Sequence, residues 1–165
     1  MNDGEPQSGQ RLSFELRNVG SGGETVRAAA LAADSDDALL VLLASHYCPT
    51  SRSLVRTLCD RHGAFRSRGI DVVPILPDIR ERGRVWDERY DLPFPLLVDP
   101  ATDEAETFGT VDALRRALPG LPGLALVSRI DGDPTVVATT ATVEDPSVDG
   151  VLEWVDAHRD DGDTT

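Results

Sequence analysis

Residues 38–52 read Ala38-Leu39-Leu40-Val41-Leu42-Leu43-Ala44-Ser45-His46-Tyr47-Cys48-Pro49-Thr50-Ser51-Arg52. The seven apolar residues from Ala38 to Ala44 follow a polar turn, Asp34 to Asp37. A run of that length suits a strand buried on both faces, as a central parallel strand is. Pro49 then fits the first turn of a helix, where its missing N–H has no intrahelical acceptor to lose. Leu54, Val55, Leu58, Cys59, His62 and Phe65 recur at helical spacing, and Gly69 supplies a stop. The order is strand, short loop, helix, and the loop carries Cys48. That loop leaves the carboxyl end of a buried strand, where α/β sheets place their ligands.

Upstream of this unit, Leu12 to Arg17 alternates as a half-buried strand does, Ser21-Gly22-Gly23 marks a loop, and Glu24 to Ala33 reads as a strand entering a short helix. Downstream, Ile70 to Leu76 is a second apolar strand and Ile79 to Tyr90 a charged amphipathic helix. Pro95 to Val98 is a short strand closed by Asp99-Pro100, and Thr102 to Phe108 a brief helix. Leu124 to Ile130 and Thr135 to Thr142 form a hairpin across Asp131-Gly132-Asp133-Pro134, and a closing helix spans about Ser147 to His158. Strands alternating with helices, then a hairpin and a last helix, predict one α/β domain over residues 1–165: a mixed central sheet flanked by helices, an α/β/α sandwich. The polar ends, 1–10 and 160–165, read as disordered.

The segment Ser45 to Thr50 resembles the active loop of the peroxiredoxins, the alkyl hydroperoxide reductase and thiol-specific antioxidant family of the thioredoxin fold, which carries Thr or Ser three residues before a peroxidatic Cys-Pro. Ser45, Cys48, Pro49 and Thr50 match it. Gly69 to Ile75 is similar to that family's second buried strand, and Leu92-Pro93-Phe94-Pro95-Leu96-Leu97-Val98-Asp99-Pro100 to its "PFPLLSDP" segment. Thr107-Phe108-Gly109 and the hairpin from Pro122 to Gly132 extend the likeness, which covers about Leu12 to His158. Three positions depart. Val41 stands seven residues before Cys48 where the family usually has Pro, Leu121 stands where an Arg commonly holds the peroxide, and Ser51 stands where a looser "CPxCR" group has a second Cys. Arg52 does match that group. With Ser51 in place, a CxxC disulfide exchange cycle is excluded.

The resemblance implies a thiol-dependent peroxidase or related oxidoreductase with Cys48 as nucleophile and Ser45, Pro49, Thr50 and Arg52 shaping its pocket; the ring nitrogens of His46, which either supply a proton or face solvent, make it a candidate proton donor. The physical chemistry agrees with such a role. Thiolate attack on a peroxide oxygen leaves a sulfenic acid, and a helix N-terminus can draw a thiol from ~8.5 toward neutrality through its unpaired N–H groups and dipole. Arg52, one turn on, offers a full positive charge; Ser45 offers a hydrogen bond to thiolate or peroxide. Cys59 lies eleven residues further along, ~16 Å down a helix. A disulfide needs Cα atoms within ~7 Å, so Cys59 suits packing better than resolving. A one-Cys cycle follows, with a peroxide substrate, an external thiol reductant, no cofactor and no metal; the resemblance also leaves a homodimer open. Two further readings stay open on the sequence: a non-catalytic binding module using the same loop, and a redox sensor.

The chain has 29 acidic residues against 16 basic ones, a formal charge of -13, and every one of the 16 is Arg. That balance disfavours nucleic acid and anionic membranes as partners. The polar start, Met1 to Gln10, has no apolar run of signal-peptide or anchor type, so a cytoplasmic location is expected. Scattered Asp with no Lys reads as a solvated acidic surface suited to a salty cytoplasm, because self-repulsion is screened within ~3 Å at molar salt. The thermal midpoint is therefore expected to climb as KCl rises from about 0.1 M to about 2 M. A melting series that stays flat or falls would refute the halophilic reading.

Overall fold

The computed structural model describes residues 12, 14–31, 37–44, 48–77, 80–99, 123–130, 132–140, 151 and 153–157. The expected helix at 102–108, the site residues Ser45 and His46, Leu121 and both chain ends lie outside them.

The strands are β1 (Glu15–Asn18), β2 (Thr25–Arg27), β3 (Asp37–Leu42), β4 (Ile70–Leu76), β5 (Leu97–Val98), β6 (Gly123–Ile130) and β7 (Asp133–Thr140). The helices are α1 (Pro49–Asp60), α2 (His62–Arg66) and α3 (Arg80–Tyr90), with a 3-10 turn at Ala28–Ala30 and helical residues at 151 and 153–157. The seven strands form one mixed sheet in the order β2-β1-β5-β4-β3-β6-β7. β3 sits inside it, parallel to β4 and antiparallel to β6.

The apolar run of β3 is buried along its whole length, and its pleat divides it between two cores. Leu39, Val41 and Leu43 join Leu54, Val55, Leu58, Phe65, Trp86, Phe94, Val151 and Val155, so α1, α2, α3 and the last helical residues share one face of the sheet. Ala38, Leu40 and Leu42 join Phe14, Leu16, Leu31, Ile75, Leu97 and Val127 on the other face. Fully burying one such Leu is worth about 1.5–3 kcal/mol, which fixes register firmly, since a one-residue slip would exchange the two sets. α1 buries Ser51, Leu54, Val55 and Leu58, a stripe at i, i+3, i+4 and i+7. This is the thioredoxin-like architecture expected, a mixed sheet with flanking helices.

The helix expected from Pro49 to Gly69 is divided. Arg61 leaves helical geometry (φ -122, ψ 28) and separates α1 from α2. Gly63, worth about 1 kcal/mol less than Ala in a helix, sits just beyond and weakens continuation. Gly69 still ends the segment, in the left-handed region at φ 74. The strand expected from Pro95 shrinks to Leu97–Val98, because Leu96 gives its N–H to a side chain instead. The hairpin turns earlier than read: Ile130 faces Asp133 across a two-residue connection with Gly132 at φ 87.

That side chain is Asn18, buried at the end of β1. Its Nδ2 donates to the carbonyls of Ser21 and Gly23, each at 2.8 Å, and its Oδ1 accepts from the amides of Gly20 (2.8 Å) and Leu96 (2.9 Å). One residue thereby satisfies four backbone groups around the 19–24 loop and the approach to β5. Gly20 lies close against the same strand, where a Cβ would meet Phe94 O at 2.6 Å and Leu96 N at 2.7 Å. Asn18→Ala strands buried polar groups worth ~1–3 kcal/mol apiece, so an unfolding free energy lower by at least 2 kcal/mol or so is expected from denaturant titration. An unchanged midpoint would show that water replaces the amide without loss.

Candidate active site

β3 continues as Leu43, whose N–H donates to Ile75 O at 3.0 Å, and then Ala44. The chain returns at Cys48, the N-cap of α1, with extended backbone (φ -66, ψ 116) and Pro49 as the first helical residue. The thiol does what a Ser or Asp oxygen does in most caps: Cys48 Sγ accepts the Ser51 N–H at 3.4 Å. Arg52 N donates to Cys48 O at 3.0 Å, closing the first full turn. Cys48 is half-buried and free.

Burial alone would raise the Cys48 pKa, yet the thiol lies below its ordinary value, because hydrogen bonds from the Ser51 side chain and backbone and from the Thr50 backbone and side chain together outweigh it. All favour the charged form, since a thiolate is the better acceptor. The Ser51 hydroxyl is fully buried, and its oxygen accepts the Ala44 N–H at 3.0 Å. With its oxygen engaged by the strand, the hydroxyl proton is left for the sulfur. Thr50 is exposed. Ser45 and His46 lie outside the described residues.

Arg52 is half-buried, and its Nε donates to the Tyr90 hydroxyl of α3 at 3.3 Å. Val41, in the place of the family's usual Pro, is wholly buried in β3. Cys59, near the far end of α1, packs against the helix-side core, and burial followed by the charges of Asp60 and Asp91 pushes its thiol up to about 11. The two cysteines thus share a helix and have opposite chemistry. A groove of about 400 Å³ opens between Pro93-Phe94-Pro95 and His62, but Cys48 does not line it. Among the described residues no group of three His, Cys, Asp or Glu could hold a metal ion, and no helix is long and apolar enough to cross a membrane.

Sequence reasoning gave Ser51 only a negative role, as an absent cysteine, and passed over Tyr90. One signal for Ser51 was present: it falls on the buried stripe of α1, three residues after the cap, and a polar group there must find partners.

A strand, a Cys-Pro helix start and a neighbouring parallel strand are shared by several thiol families, so comparison narrows the choice. The family model described as the AhpC/TSA family matches residues 9–131. The chain belongs to the AhpC/TSA family. No curated protein sequence matches it. Among solved structures, this family member is similar to peroxidoxin BcpB from Mycobacterium tuberculosis, at 16% identity and TM-score 0.69 over 93% of this chain and 97% of that one. It is similar to the reduced 2-Cys peroxiredoxin of Plasmodium vivax, at 16% identity and TM-score 0.70 over 94% and 98%. A putative thiol:disulfide interchange protein, DsbE, from Chlorobium tepidum matches at 15% identity and TM-score 0.65 over 92% and 96%. At such identities the likeness is one of fold.

Two measurements follow from the geometry. At neutral pH iodoacetamide is expected to label Cys48 and leave Cys59 almost untouched in the folded protein, because a thiol near 11 holds almost no thiolate there. Equal labelling, read by peptide mass spectrometry, would contradict the two environments. The labelling rate at Cys48 rises as pH climbs through its lowered pKa, and Ser51→Ala should move that rise to higher pH by removing a donor to the thiolate. A profile that stays in place in the folded variant would remove Ser51 from the site.

Proposed function

We propose that this AhpC/TSA protein is a one-Cys, thiol-dependent peroxidase with Cys48 as its nucleophile. The observation that carries the reading is the position of Cys48 Sγ as the N-cap acceptor of α1, with its pKa lowered by the donors of Ser51 and Thr50. A thiolate held there attacks the near oxygen of a peroxide. The S–O bond forms as the O–O bond breaks, and the far oxygen leaves as hydroxide or alkoxide and takes a proton. Ser45 and Arg52 are the proposed partners of the peroxide, and His46 the proposed proton donor. Pro49 and Thr50 shape the helix start.

The sulfenic acid then needs a second thiol. Position 51 supplies a hydroxyl, and Cys59 is both protonated and about 16 Å along the helix. An external thiol therefore condenses with the sulfenic acid, expelling water and leaving a mixed disulfide; a second equivalent displaces Cys48 and leaves as the external disulfide. No cofactor enters this cycle. A homodimer is the assembly we assign to the protein, and the cytoplasm its compartment.

Stopped-flow oxidation of the reduced protein by hydrogen peroxide in molar salt tests the reading, with Cys48→Ser as control and mass spectrometry to locate the oxidised sulfur. The expected result is a single sulfenic acid at Cys48, formed at least a hundredfold or so faster than on a free thiol, in line with the gain from a positioned catalytic group. A rate equal to that of a free thiol would leave a family member that binds or senses through this loop and does not turn over.

A further inference from the structure

Arg side chains at the start of a helix usually sweep solvent, and each carries about 2 kcal/mol of rotamer entropy. Arg52 does not. It is half-buried, and its Nε–H is committed to the Tyr90 hydroxyl at 3.3 Å. Tyr90 is itself held on both sides. Its ring meets buried Trp86 edge to face, with centroids 6.0 Å apart at 85°, and the Arg89 guanidinium carbon lies 5.9 Å from the ring centroid. The ring also packs against the helix-side core. A post fixed in α3 therefore grips, by one nitrogen, the guanidinium that begins one turn beyond Cys48.

Such a grip through Nε sets the plane of the guanidinium and leaves the two Nη groups to receive an anion in the forked geometry that Arg offers. We propose that Tyr90 is a positioning residue of the thiol site: it aims Arg52 at the oxygen that gains negative charge when Cys48 attacks. The family's usual arginine position holds Leu121, so the guanidinium duty passes to α1, and α3 supplies the brace. This deepens the peroxidase reading and rests on it for the identity of the anion. The aiming itself can be read without peroxide.

Tyr90→Phe keeps the ring, and with it the contacts to Trp86 and Arg89, and removes only the acceptor. The test compares Cys48 alkylation by anionic iodoacetate and neutral iodoacetamide in wild type, Tyr90→Phe, Arg52→Ala and the double variant, alongside the peroxide rate constant. An aimed Arg52 favours the anionic reagent. The iodoacetate-to-iodoacetamide ratio should fall about tenfold in Tyr90→Phe, consistent with loss of one charge-assisted hydrogen bond, and no further in the double variant than in Arg52→Ala. The peroxide rate constant should fall in step, at an unchanged melting temperature. A ratio that survives Tyr90→Phe, or falls additively in the double variant, overturns the proposal. If the ratio falls as expected while wild-type peroxide reduction is no faster than a free thiol, the positioning role stands and the peroxidase reading fails.

Discussion

The amide of Ala44 donates to the hydroxyl oxygen of Ser51, and much of the site depends on this bond. It ties the end of the central strand to the first turn of the helix that returns over it. Both ends are rigid for independent reasons: β3 is paired on both edges and buried on both faces, and α1 is pinned by Leu54, Val55 and Leu58. The intervening loop therefore closes over a fixed span, and Cys48 meets the helix start in a defined place. The same hydroxyl also helps to lower the pKa of the sulfur. The same group thus serves chain geometry and thiol acidity.

Much of this was legible from the residues. The apolar run 38–44 announced a doubly buried strand, and the stripe at 54, 55 and 58 announced the face of α1. The resemblance at 45–50 and 92–100 pointed to the family that the model match over 9–131 then gave. What escaped was whatever depends on a partner distant in sequence. Asn18 looks like any polar loop residue until Leu96, 78 positions away, gives it an N–H. Tyr90 looks like the exposed end of a charged helix until Arg52 reaches it. The interruption at Arg61 left no mark in the apolar periodicity, because Leu58, His62 and Phe65 keep helical spacing across it.

The two cysteines show how far eleven residues on one helix can separate two thiols. At the N-terminus, cap donors compete with burial and win; near the C-terminal end, burial is reinforced by Asp60 and Asp91. Lowering one pKa takes the cap donors of Ser51 and Thr50, and raising the other takes burial beside Asp60 and Asp91. A strongly acidic protein pays a penalty for any exposed thiolate, and a helix start is the natural place to offset it.

Position 51 bears on where the proposed cycle would keep its oxidising equivalents. Both chalcogen atoms at this helix start are located by backbone: sulfur at 48 by the amide of Ser51, oxygen at 51 by the amide of Ala44. Sulfur in place of that oxygen would give the Cys-x-x-Cys spacing of a redox pair. With oxygen there, the oxidation proposed for Cys48 finds no sulfur partner at position 51. In the proposed cycle, one element at one position decides whether the protein finishes the job alone or must wait for company.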